Sequence, residues 1–454
     1  MKRVIAFDFL RGIAIIGVLL FHVMNIAYKD VVDAVKAGTA PIQYMILGVP
    51  LVFFGSFNGL FIMISAGSNI ISVQKQWEKL VSASVPTEKA FYKVLSTQLI
   101  RGAFIWIFGW VSEGLFSGLL GLLTGDSPEQ FLYGLVKTFY FSNILQAIGI
   151  ALIISSVIYL FFLRFKTSRK KASIILIVIA VVVLAIQPVV RAVLPEELRG
   201  NFGASDFTAF INRGFGMNLL LFIGAPFLGR LAPQVPFFAC AAIGTLIAMF
   251  INQKAVTPEF LQKLFIWGFI VMGIAIPVGL VLEALDIQAL DISRETSLFW
   301  FLFVFGGEIF STAWLLYMID FRRKTNLEVF LKHTVTLRRF GLVTLTLWCL
   351  QYVMVFPIIL IEGITGWPII EGGLNDWQIL IVLGLLWLMW HLILWLWEKV
   401  NFKGSFEWMT TLVIAKRSTT TGDRLKVAET LYHPERLLEW VPGSKRKAKE
   451  SQGK

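Results

Sequence analysis

The sequence is poor in charge and in cysteine. Of its 454 residues, 15% are charged and 57% are hydrophobic, and only two are cysteines. Since a soluble domain is about 25% charged, the composition excludes an ordinary soluble enzyme. Cys240 and Cys349 both lie in apolar stretches, so neither a disulfide framework nor a structural zinc site is expected. The sequence also lacks a glycine-rich phosphate loop, a His-Glu-x-x-His metal site and a nucleophile elbow. We therefore expect no metal.

Long apolar runs fill most of the chain, and each is about the length that crosses a bilayer. The candidate spans are residues 5–25, 50–72, 98–120, 141–163, 173–193, 215–231, 236–252, 262–284, 298–319, 340–362 and 377–397. The sequence therefore predicts an all-α polytopic membrane helix bundle of about 10 transmembrane helices (10 or 11). Eleven spans cannot leave both chain ends on one side, so one candidate is expected to be re-entrant, merged or wrong. The prolines at 226, 233 and 236 point to residues 215–252.

Basic residues are concentrated in three places that we expect to face the cytoplasm. These are Lys2 with Arg3, residues 164–171 and residues 322–339. The acidic residues of 283–297 and 362–376 indicate the outside. The net charge of +12 therefore indicates membrane orientation and not nucleic-acid binding. The pattern predicts a multi-pass protein of the cytoplasmic (inner) membrane with both termini in the cytoplasm.

The last segment of the chain differs from the rest. Residues 399–454 hold twelve lysines and arginines against six acidic residues. We expect a soluble cytoplasmic tail that lies on anionic lipid, following a transmembrane domain over residues 1–398. Membrane lipids are therefore expected partners, and the sequence leaves the oligomeric state open.

The first span holds the most informative pair of residues. Arg11 and His22 are eleven positions apart, so on a helix they share one face, roughly 16 Å apart. Charged and titratable groups are costly inside a membrane and usually mark a functional path. Asp8 lies within i,i+3 reach of Arg11. The alternatives are a packing histidine, bonded to a neighbouring helix, and an ion pair that fixes the helix end.

Four other polar residues lie in apolar runs. Arg101 begins the third predicted span at its cytoplasmic end, where a cation suits the phosphates of a nucleotide-containing donor; the alternative is an interfacial anchor. Glu308 lies in mid-span and should face the bundle interior or a cavity. We expect it to be a ligand of a substrate; the alternative is that it pairs with a buried arginine. Asn25 and Asn58 are expected near the same site, as ligands of a substrate.

Several motifs resemble those of known membrane families. Arg11-Gly12, with His22 eleven residues after Arg11, resembles the Arg-ten-residues-His signature of the type 3 membrane acyltransferases. Residues 60–67 are similar to the second-helix motif of that superfamily. The C-terminal half, roughly residues 215–410, resembles the YeiB-like proteins (domain-of-unknown-function family 418). There the run from Gly341 to Gln351 and the closing motif from Gly404 to Trp408 match, whereas the family's arginine after the glycine is Leu342.

The resemblance implies an integral-membrane acyltransferase. It would move an acyl group, in the first instance acetyl, from cytoplasmic acyl-CoA to a hydroxyl or amine of an acceptor on the envelope side. In the implied catalytic set, His22 is the general base and Arg11 lies on the donor path beside Asp8. Arg101, Arg338 and Arg339 would bind the donor. The acceptor would be a glycan, a lipid or a small molecule.

A second function class also fits the residues. Intramembrane His, Arg and Glu side chains equally suit a proton relay. The alternative is therefore a transporter or a lipid- or solute-handling protein without covalent chemistry. The discriminating feature is whether His22 faces a continuous cavity that reaches the cytoplasmic end.

Overall fold

A computed structural model gives the fold of this chain. It describes residues 2–27, 56–124, 127–138, 142–193, 212, 214–228, 232–252, 256–284, 297–321, 326–370, 373–415 and 425–436. The predicted acidic loop at 283–297, the Arg322–Lys324 run and the end of the tail after residue 436 lie wholly or mostly outside these ranges.

The described residues form helices almost throughout. The α-helices are α1 (Ile5–Ala27), α2 (Asn58–Ser82), α3 (Thr87–Trp110), α4 (Ser117–Thr124), α5 (Pro128–Thr138), α6 (Ile144–Arg164), α7 (Arg169–Val193), α8 (Gly214–Leu228), α9 (Gln234–Asn252), α10 (Pro258–Ala284), α11 (Leu298–Leu315), α12 (Leu327–His333), α13 (Val335–Leu342), α14 (Thr344–Cys349), α15 (Val355–Thr365), α16 (Asp376–Glu398), α17 (Phe406–Ala415) and α18 (Val427–Leu431). π-Helical turns extend α3 over Val111–Phe116 and α11 over Leu316–Phe321, and a 3₁₀-helix covers Gln351–Met354. Two short strands, β1 (Lys2–Arg3) and β2 (Glu435–Arg436), pair in parallel.

The fold is an all-α polytopic helix bundle, as the sequence predicts. Within the described residues, eight helices are long and apolar enough to cross a membrane: α1, α3 with its extension, α6, α7, α9, α10, α11 with its extension, and α16. Two shorter apolar helices cover Gly214–Leu228 and Gln351–Thr365. Helix α2 is long enough, but its second half carries Gln74, Lys75, Gln76 and Glu78. The predicted number of about ten spans is therefore not established by length and composition.

The eight long helices fall into an inner and an outer group. In the inner group, 61% of the α1 segment is buried, 67% of α6, 83% of α9 and 61% of α11. In the outer group the buried share is 28% for α3, 17% for α7, 22% for α10 and 28% for α16. A polar residue on an inner helix is therefore more often buried among protein side chains than one on an outer helix.

Polar caps start several of these helices. Asn143 and Gln146 form a capping box at the start of α6, and Asn375 and Gln378 form another at the start of α16. The Ser297 hydroxyl accepts a hydrogen bond from the Trp300 amide at the start of α11. Each cap satisfies amide groups that have no partner inside the helix, which fixes where these spans begin.

Close crossings hold the inner helices together. A Cβ atom placed on Gly12 of α1 would lie 1.8 Å from the Leu337 carbonyl oxygen, and one on Gly341 of α13 would lie 2.0 Å from the Asp8 carbonyl oxygen. Gly244 of α9 meets the Met63 carbonyl oxygen of α2 in the same way, at 2.0 Å. Only glycine lets these backbones touch, as in other membrane helix pairs.

The predicted span at 340–362 is wrong as a continuous helix. The structure divides it among α13, α14, the 3₁₀-helix and α15, with breaks at Val343 and Leu350. The segment expected to be interrupted, 215–252, consists of the short helix α8 and the full-length α9. Helix breaks are therefore more frequent in residues 340–362 than in residues 215–252.

The described parts of the three basic regions lie at one end of the bundle. Lys2 pairs through its backbone with Glu435 of the tail, and Asp320 at the end of α11 binds the amides of Ile5 and Ala6. The α6–α7 turn reaches the same end, because α6 runs parallel to α2 and α2 runs antiparallel to α1. We call this the basic end. Both ends of the described chain are found here, and that it faces the cytoplasm stays a prediction.

The tail is not a detached segment. Phe406 of α17 packs on Phe108 of α3, with ring centroids 4.5 Å apart. Farther along, α18 lies against α13. The predicted tail is thus part of the bundle up to Arg436 of β2, with residues 416–424 outside the described ranges.

Candidate functional site

Arg11 is held on the second helix of the bundle. Its Nη2 atom donates to the Ser68 hydroxyl at 2.8 Å and to the Ile64 carbonyl oxygen at 3.3 Å. Its Nη1 atom lies 3.7 Å from the Asp8 carboxylate, the ion pair that the i,i+3 spacing predicts. Arg11 therefore faces the interior, and the segment with the second-helix motif is its neighbour.

His22 continues the same stripe of α1 toward the other end. Its side chain is half-buried, and its ring lies 6.2 Å from that of Phe21, centroid to centroid. The residues that follow α1, 28–55, lie outside the described part of the chain, as does the side chain of Asn25. The roles of His22 and Asn25 accordingly stay predictions, and the helix itself separates His22 from Arg11 by roughly 16 Å.

Arg101 lies deeper than the sequence predicts. Helix α3 begins at Thr87, so Arg101 is in mid-helix and not at the start of the span. Its Nη1 atom donates to the Asn69 side-chain oxygen at 2.5 Å, and Asn69 donates in turn to the Ser156 hydroxyl at 2.8 Å. Among described residues no carboxylate pairs with Arg101. One turn earlier, Gln98 is fully buried, and neither atom of its amide has a hydrogen-bond partner in the described structure.

The two arginines approach one place on α2. Arg11 binds Ser68 and Arg101 binds Asn69, the next residue along the helix. The Arg101 contact is to a neutral group, whereas Arg11 also lies 3.7 Å from the Asp8 carboxylate. A neutral acceptor holds a guanidinium less strongly than a phosphate or carboxylate does, so Arg101 is the cation of the two that an incoming anion could recruit more readily.

Arg338 and Arg339 hold helices of the bundle together through hydrogen bonds and an ion pair. Arg338 is buried and donates to the carbonyl oxygens of Leu331 at 2.8 Å, Leu431 at 2.6 Å and Thr430 at 3.2 Å. Arg339 pairs with Glu398 at the end of α16. The sequence predicts both arginines as donor ligands, but the structure assigns them to the attachment of the tail. The reason is that α18 returns to α13, a contact between residues about ninety positions apart.

Tyr432 completes this attachment. Its hydroxyl donates to Glu398 at 2.5 Å and accepts from Arg339 at 3.2 Å. Partial burial, together with the hydrogen bond to Glu398, raises the pKa of Tyr432 above its ordinary value. The tyrosine therefore keeps its proton and donates a hydrogen bond to the carboxylate at this end of α16.

Glu308 of α11 lies beside the first turn of α2, inside the bundle. Its carboxyl group faces the backbone amides of Gly59 and Leu60, and the Cys240 thiol lies 3.7 Å from Oε2. The side chain is buried, and Oε1 has no hydrogen-bond partner among the described residues. Since α2 begins at Asn58, the structure brings these two predicted substrate ligands to one helix end. The positive end of the helix dipole favours a carboxylate there.

Two carboxylates outside the predicted set of site residues, Asp320 and Glu407, stabilise helix starts in a similar way. Asp320 accepts from the amides of Ile5 at 3.0 Å and Ala6 at 2.8 Å. Glu407 accepts from the Leu345 amide at 2.5 Å and from the Thr346 hydroxyl at 2.5 Å. The only sequence signal is an acid at the end or start of an apolar run, because each partner lies tens to hundreds of positions away.

The segments that resemble known families pack against one another. Arg11-Gly12 touches α2 through Ser68 and touches α13 through the Leu337 carbonyl. Phe61 meets the Trp348 ring at 5.5 Å. Glu407 of the closing motif binds the start of α14. Four motifs that are separated by up to several hundred residues thus form one connected region, in which α1 contacts α2 and α13 and the closing motif contacts α14.

An apolar cavity lies on another side of α1. It has a volume of about 450 Å³ and is bounded by α1, α2, α11 and α12, with Ser311 as its one hydroxyl-bearing wall residue. Phe9 and Ile13 line it, and each is about 200° around the helix from Arg11. This cavity is therefore not the path between Arg11 and His22.

In the comparisons with known proteins, no family model, no curated protein and no solved structure matches the chain.

Proposed function

We propose that the protein is a membrane-embedded acyltransferase with acyl-CoA as donor. The observation that carries the proposal is that the four motif segments form one connected set. The α1 segment contacts α2 and α13, Phe61 of α2 contacts Trp348 of α14, and Glu407 of the closing motif contacts the start of α14. Segments that merely span a membrane have no need to meet in this way. Two of the segments resemble acyltransferase motifs and two resemble motifs of the YeiB-like proteins, and both resemblances gain support because the segments are neighbours.

His22 is the general base in this proposal. It removes the proton from the hydroxyl or amine of the acceptor, whose oxygen or nitrogen forms a bond to the thioester carbonyl carbon. The carbon–sulfur bond breaks, and the CoA thiolate leaves with the proton from His22. The acceptor then carries the acyl group. Half-burial of His22 in a membrane helix limits competing attack by water.

Arg11 and Arg101 are the donor ligands that the contacts favour. Their guanidinium groups contact adjacent positions of α2. Arg101 binds the neutral Asn69 amide, which CoA phosphates can displace, and Arg11 binds the Ser68 hydroxyl beside its ion pair with Asp8. Arg338 and Arg339 are not assigned this role in the proposal, because Arg338 binds carbonyl oxygens of α18 and Arg339 pairs with Glu398 at the end of α16. The acyl-CoA would enter from the basic end, as positive charge there attracts an anionic substrate.

The competing function is lipid or solute handling without covalent chemistry. The apolar cavity favours it, because its walls suit a hydrocarbon chain and not a nucleotide. It lies away from Arg11 and His22. A protein of this class has no need to bind acyl-CoA.

Calorimetry with acetyl-CoA on purified protein separates the two functions. We expect binding by the wild type that is weakened at least tenfold, about 1.4 kcal/mol, in Arg11→Ala and Arg101→Ala. Binding should persist in His22→Ala, and Arg164→Ala is the matched control, since Arg164 lies exposed at the end of α6. Folding is checked with a thiol-reactive dye, since Cys240 and Cys349 are both buried. Folded wild type that binds neither acetyl-CoA nor a longer acyl-CoA would overturn the proposal.

A further inference from the structure

Glu308 is a carboxyl group buried near the middle of a membrane span. It lies ten residues from Leu298 and thirteen from Phe321, the two ends of that span, and it is 1% exposed. An isolated carboxylate is costly at such a depth, so a buried acid is either paired with a cation or kept neutral by a proton. The groups around Glu308 decide between these two states.

Among the described residues, no charged side chain pairs with Glu308. The groups that face its carboxyl are two backbone amides in the first turn of α2 and the Cys240 thiol of α9. Arg11 of α1 binds α2 at Ser68, which is nine residues after Gly59 and therefore roughly 14 Å farther along the helix. A proton is thus the cation that these surroundings leave for Glu308.

The carboxyl group fits into a closely built site. A Cβ atom placed on Gly59 would lie 2.5 Å from Oε2 of Glu308 and 2.6 Å from Sγ of Cys240, so the glycine makes room for both groups. The Cys240 thiol donates to Oε2 at 3.7 Å, while Oε1 has no hydrogen-bond partner among the described residues. Oε1 is therefore the atom that is free to carry a proton.

The same site also accommodates the charged form of Glu308. The amides and the positive end of the α2 dipole stabilise a carboxylate, whereas burial among apolar side chains stabilises the neutral acid. These two effects oppose each other. A group held in this balance can take up and release a proton without leaving its place.

We propose that Glu308 is a reversible proton-binding site inside the bundle, with Oε1 as the atom that carries the proton. On release, the O–H bond breaks, its electron pair stays on the carboxylate, and water takes the proton. The start of α2 then holds the carboxylate more strongly than it holds the acid, so proton binding is coupled to the contact between α11 and α2. The proposal does not rest on the acyltransferase, because it needs neither Arg11 nor His22.

Infrared difference spectroscopy on the purified full-length protein follows both forms directly. A protonated carboxyl group absorbs in the carbonyl region above the amide band, and a carboxylate absorbs below it. We expect the wild type to show a carbonyl band at about pH 5 that is lost as the pH rises to about pH 9. Glu308→Gln should remove this change. Asp320→Asn is the matched control and should retain it, because Asp320 is also a buried acid at a helix start but has both oxygens bound to amides.

A second variant assigns the band even if Glu308→Gln fails to fold. Cys240→Ala removes the thiol beside Oε2, so the same band should move to higher wavenumber and still respond to pH. Cys349→Ala is its control, because that buried thiol contacts the Phe108 carbonyl oxygen instead. The control should leave the band where it is.

Three results would overturn the proposal. A Glu308 band that stays unchanged over this pH range would make Glu308 a permanently neutral structural acid. No such band at any pH would make it a permanent carboxylate cap of α2. Loss of the band on addition of sodium chloride at constant pH would assign the site to a metal cation and not to a proton.

Discussion

Helices α9 and α7 pack against each other, yet they meet opposite surroundings. Of the α9 segment 83% is buried, against 17% of the α7 segment. The α9 sequence is rich in small residues from Ala239 to Gly244, whereas α7 presents isoleucine and valine outward from Ile174 to Val181. By sequence alone, α7 and α9 are both predicted as apolar membrane spans. The comparison shows that small and polar residues, more than hydrophobicity, mark the helices inside a membrane bundle.

The largest effect is expected where inner backbones touch. Gly244→Ala places a Cβ atom 2.0 Å from the Met63 carbonyl oxygen, so α9 and α2 must move apart. We expect a loss of upwards of about 3 kcal/mol in unfolding free energy. Gly273→Ala on the outer helix α10 is the control, because nothing lies within 4 Å of its added Cβ. Thiol-dye unfolding in detergent measures both, and equal losses would break the distinction between inner and outer helices.

A smaller effect is expected at the carboxylate that caps α1. Asp320→Asn keeps the shape of the side chain but replaces one of the two oxygens that accept from Ile5 and Ala6. Because a buried amide loses its partner, we expect a cost of about 2 kcal/mol. Glu129→Gln, at the exposed start of α5, should cost well under that amount. If the two variants are equally stable, Asp320 does not secure the helix start.

Glu407 gives the closing motif a pH dependence. Burial raises the pKa of Glu407 above 4.5, and the hydrogen bonds from Thr346 and neighbouring amides offset part of this rise. The folded state therefore holds this proton more tightly than the unfolded state. The unfolding free energy should fall as pH rises from about 4.5 through the folded-state pKa.

Glu407→Gln should flatten that fall, because glutamine does not titrate. The expected result is a shallower decline in unfolding temperature for the variant than for the wild type above pH 4.5. Below that pH both side chains are neutral and the two proteins should be most alike. Parallel profiles over the whole range would show that Glu407 does not contribute.

The smallest effect is expected on the lipid-facing surface. Ile70 of α2 is fully buried, whereas Ile177 of α7 is 47% exposed. Ile70→Val should cost about 1 kcal/mol through the lost methylene group. Ile177→Val should stay within about 0.5 kcal/mol, because lipid replaces what the side chain loses. A cost at Ile177 that equals the cost at Ile70 would place α7 inside an assembly with further chains.

Much of this fold follows from the sequence, because hydropathy and helical periodicity act locally. The all-α bundle, the positions of most spans and the Asp8–Arg11 pair are predicted correctly. The breaks at Val343 and Leu350 are not, since neither is a proline or a glycine. There the packing of α13 on α1 and the cap from Glu407 override the apolar pattern.

The candidate site is predicted less completely, for a physical reason. A buried arginine or carboxylate signals that a partner exists but not which one. Arg338 and Arg339 bind the tail, and Arg101 binds Asn69. These contacts join residues that are distant in the chain. The spacing of residues along one helix predicts only contacts within that helix, so it does not predict these.

One transfer measurement tests the central claim most directly. Radiolabelled acetyl-CoA is added to membrane vesicles that contain the protein, and the label retained in vesicle material is counted. The wild type and His391→Ala should both incorporate label, since His391 is a half-buried histidine of the outer helix α16. His22→Ala should reduce incorporation to the level of vesicles without the protein. Incorporation by His22→Ala at the wild-type rate, or none by the wild type, would contradict a His22-dependent acyltransferase.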